Sequence, residues 1–255
     1  MRQQRFCSLV LAALFLAPLL IAAPEALRAH THEGVVYTSD QTWSGNMSLD
    51  EDVVIASGAT LLIESGTYIN VTEDITITIQ GNLQIQGTTE APVTIWGSWF
   101  AENSVQARWQ GFLLDSGSVT SVLHAMISDS RGGFDAESGA SLTIESTHFT
   151  DSMIGVWNKG SMTGAGFECQ SATTTCLRVD GTANLDTVTS SNSAGVVHIA
   201  NGGDATIDLI ESDLDSDVLV LDGGSTYSGE IQAAGFTRMI RASDSVTATV
   251  TPIAT

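Results

Sequence analysis

Short apolar runs that alternate with polar residues recur at a fixed step along the second half of the chain. Glycines mark this step at Gly117, Gly139, Gly160, Gly181, Gly203 and Gly224, which lie 21 or 22 residues apart. Most of them precede an alternating run, a polar turn and a second short apolar pair. Alternation with a period of two predicts strands with one buried face. A repeat of this length predicts a solenoid whose units contact only their neighbours.

Superimposing the repeats predicts three columns of inward-facing residues. The first column contains Leu142, Ile144, Ala183, Leu185, Ala205 and Ile207. The second contains Ile127, Phe149, Phe167, Val188, Ile210 and Ile231. The third contains Phe134, Val156, Leu177, Val197, Leu219 and Ile240, with Val179, Ile199 and Leu221 two residues further on. Asn158 falls at one of the latter positions, where a buried amide needs hydrogen-bond partners. Three strands per turn predict an all-β fold, a single-stranded parallel β-helix.

The β-helix domain is predicted to span residues 42–255. Leu61 and Ile63, followed by Ile75 and Ile77, begin the alternation, and Trp43 is expected to cover the first rung. Residues 98–116 break the spacing and are interpreted as an irregular insertion, and the regular rungs occupy 117–242. No C-terminal cap is evident, so the last rung is a candidate for end-to-end self-association.

The first 23 residues have the pattern of a secretory signal peptide, with Arg2 and Arg5 before a long apolar run. An uncleaved membrane anchor is the alternative. Either interpretation predicts an extracytoplasmic protein, secreted or at the cell surface, and cleavage would leave no membrane span. Residues 24–41 form a polar lead-in in which His30, His32 and Glu33 are possible metal ligands, although a flexible tail is the simpler interpretation.

The net charge of −20 narrows the range of partners. An acidic surface repels phosphate backbones and anionic lipid headgroups, which argues against nucleic-acid binding. Solubility, or adaptation to a salty environment, is a sufficient explanation of the charge.

Several phrases of the chain carry a family resemblance. They are the segment from Trp43 to Thr67, the phrase Ala91–Gly97, the phrase Trp109-Gln110-Gly111, and repeated turns that end in Gly-Val or Gly-Phe. Together they resemble secreted right-handed parallel β-helix repeat proteins of the pectate-lyase-like type. The resemblance implies a right-handed solenoid over nearly the whole mature chain. The family includes polysaccharide lyases, hydrolases and epimerases alongside surface proteins without known catalysis, so the fold does not choose the activity.

No catalytic signature of that family occurs in the chain. The paired-carboxylate motifs of its inverting hydrolases and the Asp-Pro-His motif of its epimerases are absent from the sequence. Asp213, Asp215 and Asp217, with Glu211 nearby, are a calcium candidate because alternate carboxylates can converge on a hard cation. A solvated acidic turn is the simpler alternative, and no other cofactor is expected.

Positive charge is predicted to gather on one face of the solenoid. The outward positions beside the third column are Asp135, Trp157, Arg178, His198, Val220 and Arg241, with Lys159 and Arg238 close by. Tryptophan can stack on a sugar, and Arg and His can bind carboxylates or sulfates. This strip is therefore a candidate glycan-binding site for an acidic polysaccharide. Salt bridges between rungs around a partly buried Trp157 are the alternative.

Three further features have chemical consequences. Trp96, Trp99, Phe100 and Trp109 cluster in the irregular segment, as a sugar platform or as cover for a rung interior. Cys169 and Cys176 are expected to form a disulfide around a short turn, because Cys7 leaves with the signal peptide. Asn46 and Asn70 begin glycosylation sequons.

The sequence therefore favours a secreted or cell-surface β-helix protein with a binding or structural role, toward a polysaccharide or another surface component. A polysaccharide lyase acting on an acidic polymer is the first alternative, with Arg178 or Lys159 as base and the 213–217 acids holding a cation. An end-to-end assembling subunit is the second.

Overall fold

The structure is a computed structural model that describes residues 34–98, 100–101, 105–106, 108–243 and 245–252. The predicted signal peptide, the candidate ligands His30, His32 and Glu33, and Trp99 lie outside these residues. No α-helix occurs in the described parts of the chain, and parallel strands stack as a β-helix of about nine turns. The prediction of an all-β parallel β-helix is confirmed.

Sheet A forms one face of the solenoid. Its strands, in spatial order, are β1 (Val35–Tyr37), β4 (Val53–Ile55), β7 (Thr76–Ile79), β12 (Trp109–Leu114), β15 (Ser130–Ala136), β17 (Ile154–Asn158), β19 (Thr175–Val179), β21 (Gly195–Ile199), β23 (Asp217–Leu221) and β25 (Arg238–Ala242). Each strand comes from the next turn of the chain, so the spatial order follows the chain order.

Sheet B folds around a corner and forms the second and third faces. The main path contains β2 (Gln41–Trp43), β5 (Thr60–Glu64), β8 (Asn82–Gln86), β13 (Val119–Leu123), β16 (Ser141–Thr150), β18 (Ser161–Gln170), β20 (Thr182–Ser191), β22 (Asp204–Asp213), β24 (Thr226–Ala234) and β26 (Thr247–Pro252). The strands β3 (Asn46–Leu49), β6 (Tyr68–Val71), β9 (Val93–Gly97) and β14 (Ala125–Ser128) pair in that order, and β14 then pairs with the second half of β16. The long strands from β16 onward therefore cross from the second face to the third.

The boundaries of the solenoid differ from the prediction at two places. Val35–Tyr37 pairs in parallel with Val53–Ile55, so the β-helix begins inside the segment interpreted as a polar lead-in. The sequence did not reveal this strand, because three residues are too few to show an alternation of apolar and polar positions. Trp109–Leu114 pairs with β7 and β15, so the irregular segment ends before Trp109. The interruption contains an antiparallel pair, β10 (Phe100–Ala101) with β11 (Val105–Gln106).

The first and third predicted columns are confirmed by strand register. Phe134, Val156, Leu177, Val197, Leu219 and Ile240 lie in one line across sheet A. All members of both columns are buried except Ile240, which is 41% exposed. In the described chain β25 is the last strand of sheet A, so no further rung covers Ile240. Asn158 is fully buried and satisfied: its amide donates to the Thr182 carbonyl at 2.7 Å and accepts from the Gly160 amide at 3.1 Å.

The second predicted column is wrong in register, although its members are all buried. Phe149 pairs with Cys169, and Phe167 pairs with Thr147. The prediction thus joined two neighbouring inward positions because both carry an aromatic residue. In the structure one column runs Ile127, Phe149, Cys169, Ser190 and Ser212, and the other runs Thr147, Phe167, Val188, Ile210 and Ile231.

A string of buried aromatic rings fills the interior at the middle of the solenoid. Phe112 stacks on Phe134 with ring centroids 5.0 Å apart, and Phe149 lies edge-on between Phe134 and Phe167. Trp109 contacts Phe112 edge-on and donates its indole N–H to the Ser128 carbonyl at 3.0 Å. Such ring pairs contribute about 0.5–1.5 kcal/mol each beyond the area that they bury. Trp109 therefore belongs to the core and covers a rung interior.

Candidate functional site

The strip predicted on sheet A exists as a continuous line of side chains. Asp135, Trp157, Arg178, His198, Val220 and Arg241 are register partners from one rung to the next. The backbone thus brings together the residues that the repeat length predicted. Their chemistry depends on what each of them contacts.

Most basic residues of this strip contact carboxylates. Lys159 contacts Asp135 at 2.8 Å and Glu137 at 2.6 Å, and Arg178 contacts Asp180 through two nitrogens at 3.2 Å. The His198 ring lies 3.0 Å from Asp222. Arg238 contacts Asp217 through two nitrogens at 2.8 and 2.9 Å. The positive charge of the strip is thus largely neutralised by neighbouring carboxylates, as in the salt-bridge alternative.

Trp157 is covered by these cations. The Lys159 ammonium lies 4.3 Å and the Arg178 guanidinium 4.5 Å from its ring centroid, and its indole N–H donates to Asp180 at 3.1 Å. Cation–π contacts of this kind are favourable by about 0.5–1 kcal/mol or more. A sugar could stack on the ring only after displacing a cation from both the ring and its carboxylate.

The pKa values of the strip agree with its ion pairs. Burial raises the pKa of Asp180, but hydrogen bonds from Arg178, Trp157 and Asn201 outweigh it and leave that pKa below its usual value. The stabilisation from Asp180 is therefore present above the usual aspartate pKa and is lost as the pH falls through its folded pKa. Burial keeps the pKa of Asp135 above its usual value despite the contact with Lys159. Arg178 and Lys159, the lyase-type bases considered above, are both held by acids.

The three aspartates of the calcium candidate do not come together. No cluster of three or more His, Cys, Asp or Glu side chains that could hold a metal occurs among the described residues. Asp217 binds Arg238, and Asp213 is exposed. Asp215 is only 1% exposed and faces the interior, where it accepts hydrogen bonds from the Ser193 amide at 2.6 Å, from the Ser212 hydroxyl at 2.7 Å and from the Ser190 hydroxyl at 3.2 Å.

Asp215 takes part in a hydrogen-bonding arrangement that repeats from rung to rung at the corner between the third face and sheet A. The Ser152 hydroxyl lies 3.4 Å from the Ser130 amide, and the Ser193 hydroxyl accepts the Ala172 amide at 3.0 Å. The Asp215 carboxylate accepts the Ser193 amide in the same way, at 2.6 Å. At this corner the side chain of one rung therefore accepts the main-chain N–H of the rung before it. The buried position of Asp215 reflects this structural task.

The two cysteines form a disulfide, Cys169–Cys176, which joins β18 to β19. Both residues are fully buried, so the bond lies inside the rung.

The sequon residues Asn46 and Asn70 lie on successive rungs of the third face, where Ser48 is the register partner of Asn70. Asn46 is exposed and Asn70 is partly buried. Glycosylation of either residue stays a prediction.

The third face carries two outward ladders of uncharged and acidic side chains. The first runs Asn46, Tyr68, Thr94, Met126, His148, Glu168, Thr189, Glu211 and Gln232. The second runs Ser48, Asn70, Trp96, Ser128, Thr150, Gln170, Ser191, Asp213 and Ala234. Neither ladder contains Lys or Arg. The one basic residue of the two ladders is His148, whose Nδ1 lies 3.2 Å from a carboxylate oxygen of Glu168.

Two depressions of about 320 Å³ each adjoin along these ladders. One is lined by residues that include His148, Phe167 and Glu168, the other by residues that include Glu211, Asp213 and Gln232, and they share Thr189. We call this surface the third-face groove. No side chain fits at Gly166, which lines the first depression, because an added Cβ would meet the Thr187 carbonyl oxygen at 1.7 Å.

Trp96 stands on the second ladder, on the N-terminal side of this groove. It is 43% exposed, and its side chain lies close enough to the Asp129 carboxyl group to lower the pKa of that group. Burial has the larger effect and leaves the pKa of Asp129 raised. Asp129 is 7% exposed and lies at the corner beside Arg108, which donates to the Asp151 carbonyl at 2.7 Å. Trp96 is thus an exposed indole beside a buried carboxyl group.

The prediction from sequence named Trp96 in a candidate sugar platform but missed the polar ladders of this face, because the second column was wrong in register. The outward residues beside the correct column, Met126, His148, Glu168, Thr189, Glu211 and Gln232, are found only when Phe149 is aligned with Cys169. That alignment needs a repeat of 20 residues at this rung. A search for alternating polar positions on both sides of the corner would have found the ladder.

Comparisons with protein families, with curated proteins and with solved structures return no match to this chain. Among the described residues no helix is long and apolar enough to cross a membrane.

Proposed function

We propose that this chain is a secreted or cell-surface β-helix protein with a binding role, and that it holds a polysaccharide along its third face. The observation that carries the proposal is Trp96, an exposed indole beside Asp129 on the same outward face as a polar groove. The apolar N-terminal segment and the resemblance to pectate-lyase-like proteins support the location and the class of ligand.

The groove has the groups that a sugar polymer requires. Sugars present hydroxyl groups at their edges and C–H groups at their faces, so they bind through hydrogen bonds and aromatic stacking. Thr189, Glu211 and Gln232 present hydroxyl, carboxylate and amide groups in line. Because rungs repeat about every 4.8 Å, the ladder offers a periodic set of partners to an extended, repetitive ligand.

Trp96 is a better stacking platform than Trp157. The Trp96 side chain is 43% exposed, so its ring is accessible to a sugar. The Trp157 ring, in contrast, is covered by Lys159 and Arg178. The proposal therefore transfers the sugar contact from sheet A to the third face.

Two single substitutions test the proposal. We expect Trp96→Ala to weaken retention in native gels that contain polysaccharides by about tenfold or more, which corresponds to about 1.4 kcal/mol. The matched control Trp157→Ala removes the same side chain from sheet A and should change retention less than about twofold. The same panel is scored for unsaturated products that absorb in the ultraviolet, the signature of a lyase.

Loss of retention in Trp157→Ala with normal retention in Trp96→Ala would restore the strip on sheet A and overturn the proposal. The absence of retention of the unsubstituted protein on every polysaccharide would also overturn it. Circular dichroism of both variants verifies that the β-helix is intact.

A further inference from the structure

We infer that the third-face groove selects uncharged polysaccharides over uronate-containing or sulfated ones, an inference that rests on the function proposed above. The groove is lined by Glu168, Glu211 and Asp213. The two ladders add no Lys or Arg to them, and His148 is engaged by Glu168. The ligand therefore meets a surface whose fixed charge is negative.

The direction of the selection follows from electrostatics. A carboxylate of a bound polymer would lie near like charges, and juxtaposed like charges lower affinity and suppress wrong partners. The net charge of −20 adds a long-range repulsion that salt screens. A neutral polymer experiences neither effect and can donate hydroxyl hydrogen bonds to Glu168 and Glu211. Charge-assisted hydrogen bonds of that kind are stronger than those between neutral groups.

Three of the cations outside the groove are engaged by other groups. On sheet A, Lys159 and Arg178 are bound to acids on their own face. Arg108 lies at the corner beside Asp129, where its Nε donates to the Asp151 carbonyl. An acidic ligand on the groove would meet the carboxylates before any of these groups.

The experiment compares polymers that share a backbone and differ in charge. Hydroxyethyl cellulose is set against carboxymethyl cellulose, and methyl-esterified polygalacturonate against its de-esterified form, at low and at high salt. We expect the protein to be retained by the neutral member of at least one pair on the order of threefold to tenfold more strongly at low salt. High salt should narrow the difference.

A charge-neutralising variant provides the decisive comparison. Glu168→Gln/Glu211→Gln/Asp213→Asn should gain retention on the anionic member. The control Asp50→Asn/Glu51→Gln/Glu64→Gln removes the same number of charges from exposed residues outside the groove. This control should not gain retention on the anionic member. Equal gains in both variants would assign the effect to net charge and overturn the inference. Stronger retention of the unsubstituted protein by anionic polymers would overturn it as well, while leaving polysaccharide binding intact. The absence of retention on all polymers would reject both proposals.

Discussion

At the scale of single residues, identical side chains have different tasks because they lie on different sides of the sheet. Trp109 is buried in the core, Trp157 lies under two cations, and Trp96 is an exposed indole beside Asp129. Asp213 and Asp215 are two residues apart, yet one is exposed and the other is buried among serines. Composition and spacing do not distinguish the buried residues from the exposed ones. For the two aspartates, the difference arises because the chain turns a corner of the fold after Asp213.

The aspartate pair gives a test at this scale. Asp215→Ala leaves the Ser193 amide and two buried hydroxyl groups without their acceptor, and we expect it to lower the free energy of unfolding by about 2–4 kcal/mol. Asp213→Ala removes an exposed acid and should change it by less than about 0.5 kcal/mol. Urea denaturation followed by circular dichroism measures both. Equal effects would contradict the interior task of Asp215.

At the scale of elements, the repeat length predicted the strands, the parallel stacking and the strip on sheet A. It did not predict the register at β16 and β18, because Gly164 and Gly166 allow a local irregularity that shifts the pairing after Thr143. Inward Cys169, Ser190 and Ser212 then follow Phe149 in its column, where Phe167, Val188 and Ile210 were expected. The candidate site on the third face was hidden by this shift, whereas the sheet A strip was visible because its pairing is regular.

Two adjacent glycines in β15 test the packing between elements. A Cβ on Gly133 would lie 2.2 Å from the Phe149 ring and 2.5 Å from the Gly155 carbonyl oxygen, whereas a Cβ on Gly132 would meet nothing closer than 4.0 Å. Overpacking a filled core typically costs about 1–3 kcal/mol. We expect Gly133→Ala to lower the melting temperature clearly and Gly132→Ala to leave it nearly unchanged. A Gly133→Ala protein as stable as the parent would contradict the placement of the aromatic string against β15.

At the scale of the whole molecule, the faces of the solenoid differ in the side chains that they carry and in the contacts that these side chains make. Sheet A carries most Lys and Arg residues of the described chain, and three of them, Lys159, Arg178 and Arg238, are paired with acids. Side chains at the corner between the third face and sheet A accept main-chain amides from the preceding rung. The third face carries an exposed tryptophan and a groove of sugar-compatible groups, and we propose that this face binds the ligand.

Hydroxyl-radical footprinting of the unsubstituted protein, with and without the polysaccharide that retains it best, tests this assignment most directly. Trp96 and Met126 are 43% and 47% exposed and lie on the paired strands β9 and β14 of the third face, so bound polysaccharide should protect both from oxidation. Trp157 on sheet A and Val119 on the second face should react at unchanged rates. Protection of Trp157 with unchanged oxidation of Trp96 and Met126 would contradict the account and place the ligand on sheet A.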